Sequence, residues 1–121
     1  MTKLFQYVNY IDYDELIKKI RTKIPNVAIR TAFIVGYPGE TDEQFNELYE
    51  FVKRSKFDKM GVFEYSRERN TASYSMLEQV PAKIKKQRHK KLMTLQQKIS
   101  REINEKYVGQ TLPCIVEGYT D

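Results

Sequence analysis

The sequence predicts an α/β fold built on parallel strands, and three observations lead there. Apolar residues recur at three and four from Leu16 to Ile24 and again from Phe45 to Val52, the pattern of a helix with one buried stripe. Each stretch is followed by a short apolar run, Ile29 to Val35 and Met60 to Tyr65, too short for a helix and closed by Gly, Pro or polar residues. The resulting order of helix, strand, helix, strand is the repeating unit of a parallel sheet with right-handed crossovers.

Residues 1–12 are aromatic-rich without a clear period and are left unassigned. The first helix begins near Tyr13, with Asp12 or Asp14 as its cap, and carries Leu16, Ile17, Ile20 and Ile24. Pro25-Asn26 ends it, because a residue before proline avoids the helical region. In the first strand, Ala32, Phe33, Ile34 and Val35 run without alternation, which predicts a strand covered on both faces. Thr41 with Gln44 three places on gives a capping box for the second helix, whose stripe is Phe45, Leu48, Tyr49 and Val52. Asp42 and Glu43 suit the positive end of that helix, and Lys53, Arg54 and Lys56 suit the other. MGVFEY forms the second strand, and residues 66–80 are polar and unpatterned, as a loop is. Pro81 fits the first turn of a long helix with Ile84, Leu92, Leu95, Ile99 and Ile103 on one face, Met93 beside it and Gly109 at its end. TLPCIVEG then reads as a short strand. Two parallel strands need neighbours and cover on both faces, so the first 78 residues read as part of a domain.

Composition narrows the function classes. No run of 18 apolar residues exists, so no membrane span is expected, and MTKLFQYVNYIDYDE lacks the features of a signal peptide. The single cysteine, Cys114, excludes an internal disulfide and a protein-only thiolate cluster; it reads as a small core residue of a cytosolic protein. The net charge of +5 is uneven. Residues 82–107 hold nine Lys/Arg against Glu102 and Glu105, a surplus of +7, which leaves the rest at about −2. Within that segment Lys85, Lys86, Arg88, Lys90 and Lys91 are candidate contacts to RNA or a ribosome surface, the alternative being a solvated helix face. His89 has no companion at three or four places and reads as surface or packing.

The loop in FIVGYPGET admits three readings. A phosphate cradle is disfavoured: the G-x-x-x-x-G-K-[ST] pattern is absent, and Glu40, Asp42 and Glu43 repel an anion. A purely structural turn accounts for Gly36 and Gly39 as positive-φ positions, Pro38 as the turn and Thr41 as the cap. A neutral or cationic ligand at the C-terminal end of a parallel strand is the third, with Glu40 of the right sign for a cation.

The runs RTAFIVGYPGETDEQFNELYEFV, FDKMGVFEYS, LMTLQQKIS and VGQTLPCIVEG resemble the radical S-adenosylmethionine methylthiotransferases, on the branch that modifies an aspartate of a small-subunit ribosomal protein rather than the tRNA-modifying branch. The resemblance implies an N-terminal domain with one [4Fe–4S] cluster, a TIM-like partial barrel with another on a C-x-x-x-C-x-x-C loop, and a TRAM β-barrel. Residues 13–80 would be the C-terminal part of the radical-SAM barrel, 81–109 a basic connecting helix and 110–121 the start of TRAM, including its first strand. The strand ending at Gly36 would lie near the adenine of S-adenosylmethionine. Gly36, Glu40, Arg30 and one of Val62 and Phe63 are the cofactor-side candidates, Arg30 having a surface or ion-paired arginine as its alternative. No catalytic or metal-binding residue is assigned. The parent would use S-adenosylmethionine and two clusters in the cytoplasm, while this chain alone is expected to bind neither and to be inactive. The family's YS-x-E-x-GT-x-A becomes YSRERNTASYSM here, with Asn70 in place of Gly; asparagine tolerates positive φ. The remaining alternatives are a tRNA methylthiotransferase segment and a non-enzymatic basic module that binds RNA or the ribosome.

Overall fold

The computed structural model describes residues 12–120. Helix α1 (Tyr13–Lys23) leads to strand β1 (Arg30–Val35), helix α2 (Asp42–Ser55), strand β2 (Lys59–Glu64), a short 3-10 turn at Ala72–Ser75, and the long helix α3 (Ala82–Glu105). The strands pair in parallel, Arg30 opposite Lys59 through Val35 opposite Glu64. This is the predicted alternation.

Local chemistry explains the boundaries. The Asp12 side chain accepts from the Glu15 amide at 3.1 Å and caps α1. The Thr41 hydroxyl accepts from the Gln44 amide at 3.2 Å while Gln44 accepts from the Thr41 amide at 3.0 Å, completing the capping box of α2. Pro81 stands one place before the first helical residue of α3. Gly109, at φ +83°, lies just beyond that helix, and Asn70 adopts φ 66°, so the turn keeps the backbone that glycine favours.

The core lies between the sheet and the helices. Val35 of β1 and Met60 and Val62 of β2 pack with Phe45, Leu48, Phe51 and Val52 of α2, Phe57, and Leu92, Leu95 and Ile99 of α3. Phe51 and Phe57 meet edge to face at 5.8 Å between centroids. A polar lock ties α3 to the turn before β2. Gln96 donates to the Phe57 carbonyl at 2.8 Å and to Ser100 Oγ at 2.9 Å, and Ser100 donates to the Asp58 carbonyl at 3.2 Å.

Three expectations are corrected. β1 is not covered on both faces: its burial alternates, Ala32 is exposed and Ile34 is 59% exposed, because α2 and α3 pack on one side only. Residues 110–120 form no strand and are exposed, since among the described residues no neighbouring strand lies there to complete a hydrogen-bond ladder. Cys114 lies in that exposed stretch and is not a core residue. No helix among the described residues is long and apolar enough to cross a membrane.

Candidate functional site

The ends of β1 and β2 form one corner of the molecule, and α3 begins beside it. Gly36 (φ +78°) and Gly39 (φ +85°) turn the chain from β1 into α2. A Cβ on Gly36 would lie 2.1 Å from Lys85 Cγ, so the stem of Lys85 occupies the space a side chain would need. Lys85 Nζ continues past it and donates to the Tyr65 carbonyl at 2.9 Å. The rings of Tyr37 and Tyr65 meet edge to face at 5.4 Å, and Tyr65 Oη donates to Ser73 Oγ at 2.7 Å. The segment after β2 folds back over the turn, where the Gly39 amide donates to the Glu78 carbonyl at 2.8 Å.

Glu40 faces inward. Its Oε1 accepts from the Gly36 amide at 3.0 Å and from Arg88 Nη1 at 2.6 Å. Arg88 also reaches the Glu40 carbonyl at 3.3 Å and Asp42 Oδ1 at 2.8 Å, with its guanidinium over the Phe45 ring. The Arg88 and Glu40 side chains are 8% and 1% exposed, so this ion pair is buried. Glu40 Oε2 and Arg88 Nε are buried without a hydrogen-bond partner among the described residues. A buried charge of this kind is held by its partner, and removing one partner costs far more than the intact pair contributes.

The candidates named from sequence separate accordingly. Gly36 is buried at the end of β1. Phe63 is 61% exposed on the open face, opposite Ile34 in register. Of the pair from which one was expected to face a ligand, Val62 is the one turned inward: at 6% exposure it belongs to the core on the other face, as strand alternation requires once Phe63 is outside. Glu40 turns inward at the corner, where its Oε1 is held by the Gly36 amide and Arg88. Arg30 is exposed at the opposite end of β1, about 20 Å of extended chain from Gly36. It does not join the corner. The five RNA candidates divide: Arg88 is buried in its ion pair and Lys85 is half-buried against Gly36, while Lys86, Lys90 and Lys91 are exposed. His89 is half-buried.

Sequence reasoning missed the Glu40–Arg88 pair, although a signal was present. Arg88 sits four places after Ile84 and four before Leu92, on the apolar stripe of α3, where a charge needs a partner. No group of three or more His, Cys, Asp or Glu that could hold a metal ion occurs among the described residues.

No protein-family model matches the chain. Curated relatives do. The chain is 53% identical over 105 residues, 87% of its length, to the ribosomal protein uS12 methylthiotransferase RimO of Alkaliphilus oremlandii (strain OhILAs). It is 50% identical over 84% of its length to that of Carboxydothermus hydrogenoformans, and 48% identical over 85% to that of Flavobacterium psychrophilum. The matched segments make up 24%, 23% and 24% of those relatives, so the chain spans about a quarter of their length.

Proposed function

We propose, from a chain that is by sequence a segment of the RimO type of methylthiotransferase, that it contributes one wall of a radical S-adenosylmethionine site in an enzyme that methylthiolates an aspartate of a small-subunit ribosomal protein. The observation that supports this best is the one-sided burial of the sheet. Ile34 and Phe63, partners in register, are 59% and 61% exposed on the face away from α2 and α3, close to the C-terminal ends of both strands. That end of a parallel sheet is where α/β folds bind ligands. The names of the relatives specify a ribosomal protein, which favours that substrate over tRNA.

On this reading Ile34 and Phe63 give apolar cover to the adenine, and the Gly36–Tyr37 backbone borders it. Glu40 and Arg88 hold that backbone in place and do not touch the ligand. Bound S-adenosylmethionine would supply the methyl group and the radical chemistry. The two [4Fe–4S] clusters would be held elsewhere in the parent, since one cysteine cannot ligate either. The setting would be the cytoplasm, the usual place of a ribosomal substrate.

The test is Phe63→Asp in a full-length enzyme carrying this segment, with S-adenosylmethionine binding followed by calorimetry. Binding about tenfold weaker or worse, with the clusters intact, is expected, since a carboxylate would replace apolar cover. Unchanged affinity would remove the open face from the site. The 121-residue chain alone should bind S-adenosylmethionine weakly or not at all and hold no iron; a stable, stoichiometric cluster on it would overturn the proposal.

A further inference from the structure

We infer that the outer face of α3 is a binding surface for the phosphate backbone of RNA. From Ala82 to Arg101 the helix carries eight Lys/Arg and no Asp or Glu. Two of the eight, Lys85 and Arg88, are engaged inside the molecule. The other six, Lys83, Lys86, Lys90, Lys91, Lys98 and Arg101, are exposed. At 3.6 residues per turn, Lys83, Lys90 and Arg101 fall on one line opposite the buried Leu92 and Ile99, with Lys86 alongside. That line runs for about 27 Å at 1.5 Å per residue. Exposed Gln87, Thr94 and Gln97 sit between the cations and add hydrogen-bonding groups. Arg101 pairs with Glu105 at 3.1 Å, so the N-terminal half of the line carries the free charge. Lys83, Lys86 and Lys90 form no ion pair among the described residues.

This arrangement fits a polyanion better than the other anionic surfaces. A membrane-bound helix inserts an apolar face, but the apolar stripe of α3 is already in the core. A protein partner is gripped through buried aromatic or apolar anchors, and the outer face of α3 offers none. A row of lysines at about one per turn instead matches a chain of evenly spaced phosphates, where affinity comes from released counterions. The choice of RNA over DNA rests on the proposed function, because a ribosomal protein substrate is surrounded by RNA. The charge argument stands without it.

The experiment measures fluorescence anisotropy of a labelled RNA duplex of about 16 base pairs, long enough to lie along the helix, titrated with the 121-residue chain at several KCl concentrations. Binding should weaken as salt rises, with a log–log slope of about −3 to −4 if about four phosphates are contacted. K83E/K86E/K90E should weaken it at least about tenfold, and K83R/K86R/K90R should restore it, since both charges neutralise phosphate. K18E/K19E, on the exposed face of α1, should cost less than about threefold, since distant charges are screened. Circular dichroism confirms that each variant is folded. Absence of binding at low salt, equal losses in the α1 and α3 variants, or tighter binding to poly-glutamate or to a DNA duplex of the same length would each overturn the inference. The assay needs neither cofactor nor catalysis. An inactive full-length enzyme would therefore count against the proposed function and leave this result standing.

Discussion

The two faces of the β1–β2 sheet are made from the same short strands, yet one is a core and the other is open. Val35, Met60 and Val62 on the covered face are at most 7% exposed, whereas Ile34 and Phe63 one residue away are about 60% exposed. Side-chain type does not distinguish them; a valine and a phenylalanine in adjacent positions have opposite fates. What differs is the layer opposite. α2 and α3 cover one face, and among the described residues nothing covers the other. An apolar side chain there contributes little to folding and remains available for contact with another surface.

That contrast can be broken most severely at Arg88. Arg88→Met leaves Glu40 buried without its cation and should destabilise the chain by about 3–5 kcal/mol in urea unfolding, with much of the loss recovered in the R88M/E40Q double variant. Additive losses would mean that the two residues are not coupled. Next in size is a direct comparison of faces. Leu92→Ala, in the covered core, should cost about 2–5 kcal/mol by the same measurement. Ile34→Ala, on the open face, should cost less than about 1 kcal/mol, because little burial is lost. Similar losses at both positions would show that the open face is covered in solution.

The smallest effect belongs to the outer layer. Arg54 grips Asp14 through two hydrogen bonds of 2.9 Å, and that contact, opposed in part by desolvation, lowers the Asp14 pKa below the usual carboxylate value. Folding therefore gains stability from Asp14 once the pH is above the unfolded carboxylate pKa of 3.8, and loses it as the pH falls through the lower folded value. Both side chains are about half exposed, so the contribution is on the order of 0.2–1 kcal/mol after screening. Arg54→Ala should lower the melting temperature slightly at pH 7 and not measurably once Asp14 is protonated in the parent as well. An equal loss at both pH values would assign the effect to packing of Arg54 on Phe51 instead.

Much of the fold was legible because its signals are local. The Thr41–Gln44 capping box, the Asp12 cap and the positive φ of Gly36, Gly39 and Asn70 depend on a few neighbouring residues. The corner itself was less legible. Alternation showed that only one of Val62 and Phe63 could face outward, but not which; that depends on where α3 packs, some 30 residues later. Arg88 and Glu40 are 48 residues apart, and no short-range pattern pairs them. The terminal strand and the burial of Cys114 were misread for a shared reason. Both follow from average residue preferences, and both require a neighbouring layer that residues 110–120 do not meet.

The contact between Gly36 and Lys85 has a consequence for how such a chain can change over generations. The stem of Lys85 fills the space where a side chain at position 36 would begin. The two positions, 49 residues apart, therefore share one small volume. A side chain at 36 would meet that stem and would also be strained by the left-handed backbone at φ +78°, so a shorter residue at 85 removes only one of the two obstacles. Glycine should therefore persist at 36 even where the residue at 85 shortens, so this corner should drift from the position-85 side alone.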